Sequence, residues 1–474
     1  MSSPAKSAIE RWPRQIKFIV GNEACERFSY YGMRSILAGY ITGAVLKGGL
    51  GQDADTSTEI IHLFVFANYF MPLFGAWLSD KIIGRYHTIL WVSLFYCAGH
   101  GVLACSDLAG TVHGKLLLLY TGMALIAFGS GGIKPCVSAF VGDQFKPEQS
   151  HLLQKAYGAF YWAINLGSFF SFLVIPWIKD RHGYSLAFGV PGIFMAIATF
   201  IFWLGTKHYV RVPPNRETKS AGFFKVFWHA LAGKRVSGQS FWDVARDRFS
   251  EKEIDAAKSV LPILLVFALI PPFWSLFDQS NSTWVLQGEK MVPTRILGLD
   301  IGAEQMQSMN PLIVMILVPL FTLGIYPRIG RFASPLRRMS YGMFLASGSY
   351  LVVAALQRQI EAGAQMSVLW QTVPYLILTA AEVLVSTTGL EFAFREAAPE
   401  MKSIVMSFWL LTIAFGDLLV VAVTQLFANA SDHAASVSTN RFLLYAGMTF
   451  GVAILFSLVA MFYKYRDEAA ARGK

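Results

Sequence analysis

The chain has 474 residues, 54% of them hydrophobic and only 15% charged, with a formal net charge of +10. That balance excludes an ordinary soluble domain, which carries about 25% charged residues and whose single core stops growing near ~250–300 residues. Its four cysteines, Cys25, Cys97, Cys105 and Cys136, lie in apolar stretches without ligand spacing, so neither a disulfide framework nor a zinc site is indicated.

A spanning helix needs ~20 mostly apolar residues. The basic start, Lys6, Arg11, Arg14 and Lys17, leads into a first predicted span at 16–46. It imitates a secretion signal, but Glu23, Glu26 and Arg27 interrupt the apolar run and no small-residue cleavage site follows, so it reads as a retained helix. Further spans are predicted at 58–80, 87–105, 115–137, 156–178 and 185–206. A polar stretch follows, Lys207 to Lys258, with an amphipathic piece, Phe223 to Leu231, that suits the membrane surface. A second set falls at 259–287, 308–326, 339–357, 369–394, 403–428 and 441–463. The expected fold class is therefore an all-α integral membrane protein of twelve transmembrane helices in two six-helix bundles, 1–206 and 259–474, joined by a linker at 207–258.

Lys and Arg crowd the N-terminus, the linker, the C-terminus (Lys464, Arg466, Arg472, Lys474) and the loops on the same side, among them Arg328, Arg331, Arg337, Arg338, Arg395 and Lys402. The alternate loops hold few: Lys47, Lys115, Lys179, Arg181, Lys290, Arg295, Arg358 and Arg441. Cations favour the cytoplasmic side, so both termini are expected inside the cell membrane. The positive charge is thus a topology signal in contact with the lipid bilayer, and no nucleic-acid partner is expected.

Of 40 Lys and Arg, this leaves Arg27, Arg34 and Lys134 inside spans. Each costs at least ~2.5–3.5 kcal/mol there. On the first span Glu23, Glu26, Arg27, Tyr30, Tyr31 and Arg34 recur at spacings of three and four, on one helical face. That face must line a polar cavity or meet charges on other helices. Lys134, Asp278 and Glu382 are the candidates. A purely structural ion-pair network is the alternative, although apolar replacements often serve stability as well. These cations and acids sum to −1, so one bound proton would neutralise them, and proton coupling is the expectation. Asp417 would make the sum −2, and its depth and role are not legible. Glu391 with Arg395 four residues on reads as scaffolding. Tyr69, Trp274, Trp409, Asn165 and Asn310 are further cavity candidates, with helix packing or interhelical hydrogen bonding as the alternative for each. His62 is a possible proton site or a simple hydrogen-bonding residue. Gly129-Ser130-Gly131-Gly132 lies mid-helix, where small residues permit close contact. No Walker-type loop, HExxH or GxSxG constellation occurs. Neither an enzyme, nor a metal, nor a cofactor beyond the proton is expected.

Several stretches carry a resemblance. Gly75-Ala76-Trp77-Leu78-Ser79-Asp80-Lys81-Ile82-Ile83-Gly84-Arg85 resembles the loop signature of the major facilitator superfamily. Glu23-x-x-Glu26-Arg27-Phe28-Ser29-Tyr30-Tyr31-Gly32 resembles the helix 1 motif of proton-dependent oligopeptide transporters. Phe160-Tyr161-Trp162-Ala163-Ile164-Asn165-Leu166-Gly167, Phe273-Trp274 with Asp278-Gln279, and Glu382-Val383-Leu384-Val385-Ser386 with Gly389-Leu390-Glu391-Phe392-Ala393 are similar to that family's other motifs. The resemblance implies a proton-coupled symporter that imports di- and tripeptides, and peptide-like drugs, by alternating access between two bundles. It implies that Arg34, with Lys134, meets the peptide carboxylate, and that Glu382, Asn165 and Asn310, with Ser386 alongside, hold its amino group. Tyr30, Tyr31, Tyr69, Trp274 and Trp409 would shape side-chain pockets. Glu23, Glu26 and Arg27 would couple to the proton through Lys134, with Glu382 contributing. Asp278 would pair with Arg34 as the outer side closes, and Asp80 and Arg85 would gate the inner side. His62 matches a helix 2 histidine that only part of that family carries. The linker is too polar for two extra helices and no large insert separates spans nine and ten, so the chain reads as a minimal, prokaryotic form. Rival readings are a carrier of nitrate or another small anion, and a peptide sensor.

Overall fold

The computed structural model describes residues 12–214, 222–233, 239–329, 334–427 and 435–465. Lys6, Arg11, Arg331, Arg466, Arg472, Lys474 and parts of the linker lie outside the described residues.

Within lipid a backbone must satisfy its own hydrogen bonds, and helices do so segment by segment. Helix α1 runs Ile16–Ser35 and continues as Leu37–Thr42. α2 is Ala54–Leu78, begun by Asp53, whose side chain accepts from Thr56 N. α3 is Arg85–Ala104, α4 Val112–Asp143, α5 Ser150–His182 and α6 Tyr184–Leu204. The amphipathic piece forms α7, Phe223–Ala232, which buries Phe223, Val226 and Ala230 and sets Phe223 against Phe408. The seventh predicted span is not continuous. It is α8, Glu251–Phe267, then α9, Pro271–Asn281, bent by 46°. Pro271 and Pro272 lack N–H donors and disfavour a helical residue before them, which breaks the ladder there. A hairpin that the sequence reading did not foresee follows, β1 Thr294–Ile296 antiparallel to β2 Leu299–Ile301. Its turn takes Leu297 and Gly298 to positive φ, 50° and 83°. The remaining helices are α10 Ala303–Arg328, α11 Pro335–Glu361, α12 Val368–Glu396, α13 Pro399–Leu426 and α14 Thr439–Phe462.

Among the described residues ten helices are long and apolar enough to cross a membrane, or eleven with the bent α8–α9 pair as one span. α1 stands in the same array, but its charges keep it from counting by apolarity. In the first half α1 packs on α5 and α6, α3 on α4 and α6, and α2 on α4. In the second half α11 packs on α12 and α14, and α9 on α13. The halves meet where α2 runs along α13 and α5 along α10. The small-residue stretch of α4 does bring helices close: a Cβ on Gly131 would lie 2.4 Å from Met71 Cβ. Several cations assigned to loops lie on helices instead, and three of them are packed against neighbours. Arg441 and Arg338 are buried, and Lys179 lies within α5.

Candidate functional site

The loops between α1 and α2 and the β-hairpin lie on one face of the molecule; the linker lies on the other. On the hairpin side the two halves are bonded together. Arg34 Nη2 donates to Asp278 Oδ1 at 2.8 Å, with each side chain 4% exposed. Lys179 Nζ donates to Glu304 Oε2 at 2.6 Å, joining α5 to the first turn of α10. Gln307 Nε2 donates to Ser35 O at 3.0 Å. His62 Nδ1 lies 2.6 Å from Asp417 Oδ1, which fixes the depth of Asp417: both residues are fully buried. On the linker side the ion pairs seen stay within one half. Arg85 holds both oxygens of Asp143, at 2.7 and 2.8 Å, and lies 3.5 Å from Asp80. Glu391, paired with Arg395 in the sequence reading, takes its shorter bond from Arg338 at 2.6 Å, against 3.5 Å to Arg395.

The charged face of α1 turns inward. Arg27 Nε bonds Glu23 Oε1 at 2.8 Å. Glu26 Oε2 lies 2.6 Å from the same nitrogen without the direction of a hydrogen bond, and Glu26 Oε1 has no partner among the described residues. Lys134 sits over the rings of Tyr30 and Tyr69, 4.6 and 4.3 Å from their centroids, and its Nζ likewise finds no hydrogen-bond partner. Glu26 Oε1 and Lys134 Nζ are thus buried charged atoms without a hydrogen-bond partner among the described residues, a costly arrangement in a low-dielectric interior.

Between the halves lies a cavity of about 190 Å³. Of the residues singled out from sequence, Tyr31, Arg34, Tyr69, Asn165, Trp274, Asp278, Asn310, Glu382 and Ser386 line it. Tyr30 and Trp409 stand behind the wall: Tyr30 against Lys134, and Trp409 with its ring centroid 6.2 Å from that of Trp274. Asn310 Nδ2 donates to Glu382 Oε2 at 2.7 Å and to Thr379 Oγ1 at 3.2 Å. A π-helical stretch, Val383–Thr387, follows Glu382 and carries Ser386. Such turns often mark functional sites because they re-aim side chains. The sequence reading missed Tyr161, Gln307, Asn281 and Tyr375 on the wall. Tyr161 was within reach, since it lies four residues before Asn165, whose Nδ2 donates to its carbonyl at 2.9 Å.

A basic group and an acidic group thus face one aromatic-walled chamber, and residues 86–440, which include Glu382 but not Arg34, match the profile described as the POT family. The chain belongs to the POT family. This is a family of transporters rather than enzymes, and its member here is a multi-pass membrane protein of the major facilitator type. Solute carrier family 15 member 2 of Homo sapiens is 38% identical over 403 residues, covering 80% of this chain and 54% of the relative. The chain spans about half the length of the curated relatives it matches. The crystal structure of an auto-inhibited POT family peptide transporter superimposes with a TM-score of 0.86 at 38% identity, covering 95% of this chain and 98% of the other. A POT peptide transporter in complex with alafosfalin gives a TM-score of 0.78 at 23% identity over 94% of each chain, a likeness of fold alone.

Proposed function

We propose that the chain is a proton-coupled symporter that imports di- and tripeptides, and peptide-like drugs, by alternating access across the cell membrane. The observation that carries the reading is the pairing of Arg34 and Glu382 on one cavity of about 190 Å³. Peptides of any sequence share a carboxylate and an ammonium group, and these two residues match them in charge. The volume is below the ~300–1,000 Å³ usual for ligand pockets, which favours a short peptide. Aromatic walls from Tyr31, Tyr69 and Trp274 tolerate varied side chains, with Tyr30 and Trp409 as the layer behind. Asn165, Asn310 and Ser386 assist Glu382 at the amino end. Glu23, Glu26, Arg27 and Lys134 form the proton-coupling group, with Glu382 as a further acid and His62 as a second proton site. No cofactor other than the proton is required. Residues 1–206 and 259–474 are the two moving bodies, with 207–258 as the link.

The linker face is cytoplasmic in this reading, together with both termini. The cross-half bonds on the hairpin side then describe an outer face that is shut, with Arg34 and Asp278 in its seal. Asp80 and Arg85 belong to the inner gate. The deciding experiment is uptake of a labelled dialanine peptide into liposomes holding the purified protein, with and without an inward proton gradient. Accumulation that requires the gradient is expected. A folded preparation that takes up none refutes the assignment.

A further inference from the structure

In the seam between the two halves, on the hairpin side, Gln307 near the start of α10 is 2% exposed and lines the cavity. Its Nε2 donates to Ser35 O on α1 at 3.0 Å and to Glu304 O on its own helix at 3.1 Å. Both partners are carbonyl oxygens, which can only accept. The atom facing them is therefore the nitrogen, both of its hydrogens are used, and the other end of the amide is fixed as oxygen. That oxygen, Oε1, is buried with no hydrogen-bond partner among the described residues. Ser35 closes the first segment of α1, where the helix breaks at Ile36 and the last carbonyls lack intrahelical donors. The amide is thus pinned by its nitrogen while its oxygen stays unmet, a costly state for a buried acceptor.

Among the described residues that line the cavity, two other side-chain atoms are buried without a partner, Arg34 Nε and Asp278 Oδ2. They belong to an ion pair already closed at 2.8 Å. Gln307 Oε1 is neutral and can only accept, so it suits a neutral N–H, whereas an ammonium group is held more strongly by a carboxylate. Its place agrees with that chemistry. Through Ser35 it adjoins Arg34, the proposed partner of the cargo carboxylate. Asn310, which donates to Glu382 at 2.7 Å, lies one turn further along α10, on the same helical face. In a dipeptide the amide nitrogen and the carboxylate hang from one Cα. An acceptor for that N–H must therefore sit beside the group that holds the carboxylate.

We propose that Gln307 is a specificity-determining residue whose Oε1 accepts the N–H of the cargo's last peptide bond. The inference rests on the peptide reading above and deepens it: the two termini are matched by charge, and the bond between the residues is recognised as well. A free amino acid carries both termini but has no amide N–H, so this contact separates peptides from amino acids. A tripeptide offers the same N–H next to its carboxylate, so the contact serves both lengths. Nε2 keeps its bond to Ser35 throughout, and the side chain that reads the peptide bond is thereby one that spans the halves.

The test is competition for uptake of labelled dialanine into liposomes under an inward proton gradient. The unlabelled competitors are dialanine and its ester analogue alanyl-lactate, in which oxygen replaces the amide N–H. The wild type should bind dialanine roughly 2- to 12-fold more tightly than the ester, the equivalent of one neutral hydrogen bond. Gln307→Met keeps the length of the side chain and removes the acceptor, so this ratio should fall to about one or below. Gln307→Asn withdraws the acceptor by one methylene and should lower the ratio too. A purely structural amide, or one that only holds a water, would shift both competitors together and leave the ratio as it was. An unchanged ratio in either folded variant therefore overturns the proposal. So does a wild type that binds the two competitors equally, whether or not a variant folds. Failure to take up labelled dialanine overturns the peptide reading and this inference with it, whereas uptake with equal competition overturns the inference alone.

Discussion

Replacing Arg34 by Met would strand Asp278 in the seam. The two side chains are each 4% exposed and 2.8 Å apart. Breaking a buried ion pair by removing one partner costs roughly 3–5 kcal/mol. At ~1.36 kcal/mol per decade, the closed seam should lose about two to three and a half decades against the open one. Arg34→Met/Asp278→Asn removes the stranded acid as well, and should return closure to within about one decade of the wild type. Peptide affinity should not return with it, because Arg34 is also the proposed partner of the cargo carboxylate. The assay pairs hydrogen exchange of the seam with the KM for a labelled dipeptide in liposomes. If the single and double variants expose the seam equally, the Arg34–Asp278 bond is not what holds it. If the double variant also recovers KM, Arg34 does not bind the carboxylate.

Glu26→Gln should abolish uphill accumulation while leaving peptide counterflow partly intact; uphill uptake at the wild-type rate would remove Glu26 from the coupling group. Glu382→Gln should raise KM for a free-amino dipeptide by about 10- to 150-fold, the equivalent of a charge-assisted hydrogen bond of roughly 1.5–3 kcal/mol. An N-acetylated analogue should bind weakly to both proteins, and an equal loss for the two ligands would show that Glu382 does not read the amino group. Dipeptides should not be displaced by nitrate in competition uptake, whereas displacement at comparable concentration would favour the anion carrier.

How much of this was legible before folding depended on where a charge sat along its helix. Arg27, Arg34 and Lys134 stood out because they lie in mid-span, where only a functional or paired cation survives. Arg338, Arg441 and Glu304 are buried too and Lys179 is half-buried, but they sit near helix ends. There a count of loop cations cannot tell water from a neighbouring helix. The contact of His62 with Asp417 crosses 355 residues, and nothing local to either residue announces it. The break before Pro271 was readable in the proline pair itself. The hairpin was not, because Leu297-Gly298 replaces the Asn-Gly or Asp-Gly that normally marks such a turn. The aromatic candidates divided by rotation about the helix: Trp274 reaches the cavity while Trp409 braces it, a difference set by packing angles rather than by residue type.

The end of α1 offers a handle of another kind. Gly39 has no side chain where Glu304 comes to rest. A methyl group there would stand 2.6 Å from Glu304 Oε1 and 3.0 Å from Glu289 Oε1. The yielding part is the carboxylate that holds Lys179, so Gly39→Ala would act as a doorstop, prising that latch apart while leaving the cavity's own groups untouched. A wedge of one carbon is a mild perturbation. In the proposed alternating-access cycle it would disfavour the conformation with the hairpin face shut, which recommends this position for trapping the opposite one.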